Sequence, residues 1–359
     1  MRPRSASVAL LLGLACYSVG CSRQPTAGGT GSGSPPVALL SDNPADESVL
    51  FPQIGGVAGY AGSASCQECH PKQYDTWHRS YHRTMTQLPT PEAVQADFNR
   101  VVLTNGTARF ILSRTNRQFW IHMESTVPAT PDRPAPEPVD VPLGLVTGSH
   151  HMQVFWLANG MGNCQIGFPF TWLIPEHRWV PRNATFLRPP TVELRPETWN
   201  LVCARCHATA TQPGLDRAVP AWHTQVEEPG IACEACHGPG QRHVALERQL
   251  KPHPGQAAPN PRTAALNGAS GAGTSLEAPA HSPQPANLWI VHPEKISPVR
   301  ASQICGFCHS MKWWDSKEGW PERGFSFHPG DDLDATTPVM RPTQLDQQPW
   351  LKSALDRNP

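Results

Sequence analysis

Apolar and polar residues alternate along two long stretches in the middle of the chain, and this period of two predicts β-strands. The first stretch, at 100–124, reads RVVLTNGTARFILSRTNRQFWIHME and alternates around an Asn-Gly turn and a second polar turn, as a β-meander does. The second, at 151–182, reads HMQVFWLANGMGNCQIGFPFTWLIPEHRWVPR and repeats the pattern with Gly-rich and Pro-Glu turns. We therefore predict one sheet from both stretches, in a β-rich segment at about 99–198, with Cys164 as a small buried apolar residue.

A helix is predicted shortly before this β-rich segment. Proline favours the first turn of a helix, so the helix would begin at Pro71, and positions 74, 78 and 82 would share one of its faces. If the helix continues through this stretch, His78 and His82 point the same way. His82 would then lie about 18 Å along the axis from His70, at 1.5 Å per residue. This distance predicts that His82 reaches a different partner from the one that His70 binds.

The N-terminus has the pattern of an export signal. Residues 1–21 carry two arginines, then an apolar run from Val8 to Tyr17, then small residues. The run is too short to span a bilayer, and no later segment is long and apolar enough to do so. Cys21, with small residues around it, is predicted to be the lipid-modified cysteine of a bacterial lipoprotein; ordinary cleavage nearby without a lipid is the alternative.

Three further segments lack any regular pattern. Residues 22–60 are rich in Gly, Ser, Pro and Ala and are predicted to form a flexible tether. Residues 251–287 are almost entirely Pro, Ala, Gly, Ser and Asn, which indicates a mobile surface loop. Residues 331–359 are predicted to form a polar, loosely draped C-terminal tail. These boundaries leave one predicted domain at 61–330.

Composition narrows the function classes. The 359 residues include 40 prolines and only 39% hydrophobic residues, so a large self-sufficient core is not expected. The formal net charge is zero, which argues against nucleic-acid binding. Twelve tryptophans against four tyrosines favour flat apolar stacking surfaces, which a large planar ligand would use.

The cysteines supply the strongest chemical signal. Four C-x-x-C-H motifs occur, at Cys66, Cys69 and His70, at Cys203, Cys206 and His207, at Cys233, Cys236 and His237, and at Cys305, Cys308 and His309. In chain order we call them sites one to four. They use eight of the eleven cysteines; the signal, the lipidation site and the β-rich segment hold the other three.

Covalent attachment of haem c explains this spacing best. A disulfide framework scatters its cysteines, and a zinc ribbon has no reason to place His directly after every second Cys. In haem c attachment each thiol adds to one vinyl group, and the adjacent imidazole becomes the proximal iron ligand. The sequence therefore predicts four covalent haems c, and export agrees with this because the attachment takes place outside the bacterial cytoplasm.

The motifs do not specify the second axial ligand of each iron. The strongest candidates are His82, then His243 after a Gly-Pro-Gly turn, then one of His150 and His151. His223, His78 and His328 are near-equal candidates for the remaining iron, with Met85, Met152 and Met311 as thioether alternatives. An open sixth position is equally compatible with the sequence. It would favour binding of a small ligand, whereas two imidazoles favour electron transfer.

Other side chains are candidates for contacts with the porphyrins. Trp77, Trp199, Trp222 and Trp313 could pack against the rings, and Arg178, Arg182, Arg188, Arg195 and Arg205 could pair with propionates. Each of these arginines is equally well explained as an ordinary surface residue.

Two stretches resemble the exported multihaem cytochromes c of the cytochrome c554-like family, whose compact member is a tetrahaem electron carrier. CQECHPKQYDTWHRSYH is similar to the family's first haem site, and GIACEACHGPGQRH to its third, in which the final histidine, here His243, is commonly a distal ligand. The β-rich segment departs from the compact carrier, and its TGSHHMQ…WLI…RW residues resemble segments of larger relatives. Fold analogy within this group does not separate carriers from enzymes.

The expected fold is α+β with little regular structure, organised around four covalent haems, with the β-rich insertion between sites one and two. The expected function is electron transfer with redox partner proteins, in the periplasm or at the outer membrane through a lipid anchor. The alternatives are an oxidoreductase that acts on a small nitrogen compound or a peroxide at one five-coordinate haem, and a haem-bearing subunit of a respiratory complex.

Overall fold

The computed structural model describes residues 50–130, 132, 134–185, 197–250, 290–312 and 319–340. The signal segment, Cys21 and the loop at 251–287 lie outside these residues. The described residues form two compact units. Of the described residues, unit one contains those within 50–54, 80–231 and 319–325, and unit two contains those within 55–79, 232–312 and 326–340. The single domain expected at 61–330 is thus divided between two units.

The strands and helices are numbered here in chain order. The strands are β1 Gln53–Ile54, β2 Thr86–Gln87, β3 Val101–Asn105, β4 Ala108–Thr115, β5 Gln118–Ser125, β6 Val139–Thr147, β7 Met152–Ala158, β8 Gln165–Leu173, β9 Arg178–Pro181, β10 Ala208–Thr209, β11 Leu215–Asp216, β12 Ala221–Trp222, β13 Gln225–Val226 and β14 Glu228–Pro229. The α-helices are α1 Ser63–Gln67, α2 Pro71–His78, α3 Ala204–His207, α4 Cys233–His237, α5 Gln241–Leu250, α6 Pro298–His309, α7 Trp320–Arg323 and α8 Leu333–Thr336. Short 3-10 helices cover Arg182–Ala184 and Pro293–Lys295, and a π-helix covers Trp199–Cys203.

The predicted sheet is the main feature of unit one. Its strands follow one another in the order β3-β4-β5-β6-β7-β8-β9, each antiparallel to the next, and β2 pairs with β6. The Asn-Gly turn between β3 and β4 has Gly106 at φ 59°, a left-handed conformation that glycine adopts without strain. Both alternating stretches therefore belong to one sheet, as predicted.

This sheet has a substantial hydrophobic core, which the average composition did not predict. Phe155, Phe168 and Leu112 are fully buried in one cluster, together with Cys164, which is buried as expected. A second cluster contains Trp156 and Trp199. The overall apolar fraction is a poor guide here because the apolar residues are concentrated in the β-rich segment, whereas the polar, Pro-rich segments lower the average.

Three expectations about chain segments need correction. Residues 50–60 do not belong to a tether: Gln53 pairs with Gln225 in a parallel bridge, and Val57 is buried. Residues 331–340 are packed, because Leu333 is fully buried and Gln303 Nε2 donates to Asp332 Oδ1 at 3.0 Å. Helix α2 ends at His78 instead of continuing to His82.

Helix α2 ends where the chain passes from unit two to unit one. Arg79 leaves the helical conformation at φ −91° and ψ 1°, and Ser80 is the first residue of the following unit-one segment. His78 therefore stacks on Tyr74 within the helix, with ring centroids 5.4 Å apart, while His82 lies in the turn beyond it. The two histidines do not share a helical face.

Candidate functional site

All four C-x-x-C-H motifs lie in helical turns. Sites three and four end helices α4 and α6, and site two runs from the π-helix into α3. At site one the N–H groups of Cys69 and His70 both donate to the Cys66 carbonyl, at 3.2 and 2.8 Å. Residues three and four positions apart share a helix face. Each motif therefore presents two thiols and one imidazole on the same side, which attachment of one planar group requires.

Two of the motif thiols lie in surroundings that disfavour a charge. All eight motif cysteines lie in the described part of the chain, and no disulfide joins them. Burial, followed by the nearby Glu197 carboxylate, raises the pKa of the Cys203 thiol to about 12. Burial also raises the pKa of the Cys236 thiol, and the thiol of Cys305 adds to this effect. Burial at Cys203 and Cys236 therefore disfavours a charged thiolate and is compatible with a neutral sulfur.

His237 has the hydrogen bond expected of a metal-ligating histidine. Its Nδ1 lies 2.8 Å from the Val291 carbonyl oxygen. A carbonyl oxygen only accepts, so Nδ1 carries the proton and the lone pair of Nε2 is left for a metal. The Val291 N–H also donates to the His237 carbonyl at 2.8 Å, which fixes the backbone there. The residues present at site three therefore fit haem c.

Site two is anchored to the sheet of unit one by buried polar contacts. Asn200 Oδ1 accepts from the N–H of Gln165 in β8 at 2.7 Å, and Asn200 Nδ2 donates to Thr224 Oγ1 at 2.7 Å. Trp199 is buried in the second core cluster beside Cys203. These contacts fix the segment that leads into the motif.

Sites one, three and four all belong to unit two. The Cys233 N–H approaches Ser63 Oγ at 3.5 Å, which joins the helices of sites one and three. The buried Glu234, inside the third motif, accepts hydrogen bonds from the N–H groups of Ala61 and Gly62 just before α1. No sequence signal indicated this role, because an acidic residue between the two cysteines of a motif can equally face solvent, as Glu68 does at site one.

The backbone at His82 lies beside the segment that joins sites two and three in sequence. The Ile231 N–H donates to the His82 carbonyl at 2.9 Å, and the Gly230 N–H donates to the His207 carbonyl at 3.2 Å. Gly230 and Ile231 thus connect the backbone of His82, the candidate distal ligand, to His207, the histidine of site two. His82 belongs to unit one, whereas His70 and helix α2 belong to unit two.

His150 and His151 lie close to the same part of unit one. Tyr81 stacks on His150 with centroids 4.1 Å apart and planes 6° apart, and His150 stacks on His151 at 3.9 Å. The Gly148 N–H donates to the Met85 carbonyl at 2.8 Å, so the chain after Tyr81 runs alongside this pair. Three candidate distal histidines are therefore neighbours in one unit.

The other candidates are more dispersed. His223 follows β12 in unit one, where its N–H donates to the Gly214 carbonyl at 3.0 Å. His243 lies in α5 of unit two, one turn after Gly240. His328 is exposed and 3.6 Å from Asp331. Among the residues that the structure describes, no three His, Cys, Asp or Glu side chains converge as ligands of a bare metal ion would.

Several proposed porphyrin contacts have other roles. Trp199 and Trp222 are buried in the protein core, and the guanidinium of Arg182 pairs with Glu197 at 2.7 Å and stacks on Trp156 at 4.6 Å. Trp77 is half-buried in α2. Trp313, Arg188 and Arg195 lie outside the described residues.

The contact between Gly230 and Arg83 gives a testable prediction for this region. A Cβ at Gly230 would lie 2.2 Å from the Arg83 carbonyl oxygen, and φ is +78°. We expect Gly230→Ala to lower the free energy of unfolding by about 3 kcal/mol, from backbone strain and the clash together. Gly55→Ala is the control, because φ is +83° and nothing lies within 4 Å; its cost should be about 1 kcal/mol. Equal melting temperatures of the two variants would contradict the close packing at His82.

Comparisons with known proteins agree with the motifs. A family model described as cytochrome c554 and c-prime matches residues 65–106 and 190–238, which include sites one, two and three. The resemblance predicted from these segments is confirmed, and the match implies covalently bound haem c.

No curated protein matches the chain. A crystal structure of the outer cell wall cytochrome OcwA is similar, with a TM-score of 0.46 and 17% identity over 81% of this chain and 47% of that chain. The chain thus spans about half the length of that cytochrome.

Within the described ranges, the structure contains no helix long and apolar enough to cross a bilayer.

Proposed function

We propose that this chain is a tetrahaem c-type cytochrome that transfers electrons between partner proteins in the periplasm or at the outer membrane. The observation that carries the proposal is the set of four C-x-x-C-H motifs, each in a helical turn with both thiols and the imidazole on one side. The family match over three of these motifs supports it. The lone pair at His237 Nε2 supports a proximal role for the motif histidines.

The protein's own residues would hold and orient the haems. His70, His207, His237 and His309 would be the proximal ligands, and the eight motif cysteines would fix the rings covalently. When bound, each haem supplies an iron that gains and loses one electron with little change of geometry. Because sites one, three and four share unit two, three of the four haems would be held by one compact body.

The distal assignments form a second part of the proposal. His82 would ligate the haem held at site two, because the contacts of Gly230 and Ile231 connect its backbone to His207. His243 would ligate a haem of unit two, and His150 or His151 would ligate another haem. His223 would be an alternative ligand. A bis-imidazole iron stays low-spin and gives low potentials, both of which suit an electron carrier.

Export and anchoring rest on the N-terminal sequence. The short apolar run indicates translocation, and Cys21 would carry a lipid that attaches the protein to the outer membrane. A lipid on Cys21, followed by a polar segment, would leave the haem-binding units in the periplasm.

Electron paramagnetic resonance tests both the carrier function and the role of His82. We expect every ferric haem of the wild-type protein to be low-spin, because every iron would have two protein ligands. In His82→Ala one haem should become high-spin, and the reduced variant should bind carbon monoxide. His122→Ala is the matched control, since His122 lies on β5 and binds Asp140 at 3.0 Å.

Two outcomes would contradict parts of this proposal. A high-spin haem in the wild-type protein that binds carbon monoxide or nitric oxide would favour the oxidoreductase over the carrier. An unchanged low-spin spectrum in His82→Ala would remove His82 from the ligand set and leave the carrier function intact.

A further inference from the structure

A buried carboxylate lies at the junction of three elements of unit two. Glu234, the first residue after Cys233, is only 2% exposed. Its Oε2 accepts from the Gly62 N–H at 2.9 Å, and its Oε1 accepts from the Ala61 N–H at 3.0 Å and from the Gly240 N–H at 2.6 Å. One side chain therefore connects the third motif, the start of the first motif's helix and the turn before α5.

The surrounding backbone is packed closely around this carboxylate. A Cβ on Gly240 would lie 3.1 Å from Glu234 Oε1, and the Gln241 N–H donates to the Gly59 carbonyl at 3.0 Å. Segment 59–62 and segment 239–241 are thus held against each other with the carboxylate between them. Because Gly240 immediately precedes α5, the same contact fixes the start of the helix that carries His243.

The chemistry of these contacts favours a charged group. Three backbone N–H donors stabilise a carboxylate more than a neutral carboxylic acid, because hydrogen bonds to the ionised form are the stronger ones. A buried charge is also less screened by solvent and salt than an exposed one. A negative charge beside a haem stabilises the ferric form and so lowers the reduction potential.

We propose that Glu234 is a positioning residue that holds sites one and three against each other, and that its buried negative charge keeps the reduction potentials of the haems at these sites low. The inference rests on the proposed function, since it concerns haems bound at the motifs. It adds that one buried side chain lowers the reduction potentials of two of the four haems relative to those of the other two.

The first motif contains a natural control. Glu68 also lies between the two cysteines of its motif, but its side chain is 57% exposed and pairs with Arg248 at 2.8 Å. An exposed ion pair contributes little and is screened by solvent. Glu68→Gln therefore removes the same formal charge from the same kind of position, without removing a buried charge.

The test is a potentiometric redox titration of the holo-protein, followed by haem absorbance. In Glu234→Gln two of the four midpoint potentials should move upward, whereas Glu68→Gln should match the wild type. Glu234→Asp keeps the charge and should keep the potentials near those of the wild type. Potentials unchanged in Glu234→Gln, or shifted equally in Glu68→Gln, would overturn the inference.

Amide hydrogen exchange tests the inference on the wild-type protein alone, in case the Glu234 variants do not mature. In the wild-type holo-protein, hydrogen exchange at Gly62 and Gly240 should be slow, because both N–H groups bind the buried carboxylate. Exchange as fast as in an exposed loop would overturn the inference. The intact mass of the wild-type protein separates the two proposals, because fewer than four haems would reject the proposed function. If the wild-type protein carries four haems and the potentials of Glu234→Gln equal those of the wild type, only the role of Glu234 is rejected.

Discussion

Replacing Cys203 and Cys206 together with alanine is expected to remove one of four haems from the mature chain. Neither alanine forms a thioether, so His207 alone would have to retain the haem. The first core cluster of the sheet, with Phe155 and Phe168, does not contain these two cysteines, and Cys203 only packs against the second cluster as a partly buried neighbour. The chain should therefore still fold, and its intact mass should fall by one haem.

Cys164→Ala is the control for this double variant. Cys164 is fully buried in the sheet core and belongs to no motif. Its replacement should leave the number of haems unchanged and lower only the melting temperature. A double variant that keeps its full haem mass would show that site two does not bind haem covalently.

Trp156→Ala should have the largest effect on stability. Trp156 is 0% exposed, its Nε1 donates to Thr147 Oγ1 at 3.0 Å, and the Arg182 guanidinium lies 4.6 Å from its ring. Truncation leaves a large cavity and removes the aromatic surface under a mostly buried cation. We expect the free energy of unfolding of unit one to fall by about 3–5 kcal/mol.

Chemical denaturation followed by circular dichroism measures this loss. Val102→Ala serves as the control, because Val102 is 56% exposed on β3, at the edge of the sheet; its effect should stay within about 0.5 kcal/mol. If Trp156→Ala unfolds at the same denaturant concentration as Val102→Ala, the second core cluster does not stabilise the fold.

The features that the sequence predicted well depend on short-range spacing. The strands require only a period of two over a few residues. Local patterns of this kind survive whatever the rest of the chain does. The Asn-Gly turn and the antiparallel order of the sheet follow from the same local rules.

The features that the sequence did not reveal depend on contacts between distant segments. Glu234 is buried by residues near Ala61, 173 positions away, and no local pattern distinguishes it from the exposed Glu68. Leu333 packs although its neighbours in sequence are polar. Helix α2 ends at His78 where periodicity alone would have continued it, since periodicity does not register where a chain leaves one unit for another.

The intact mass of the exported, mature chain shows directly whether the four motifs bind haem covalently. We expect a mass equal to the processed polypeptide plus four haems, because each motif in this sequence supplies two thiols for one covalent attachment. A mature chain that carries no covalent haem would contradict the proposed function, and one with fewer than four would contradict the assignment of all four motifs.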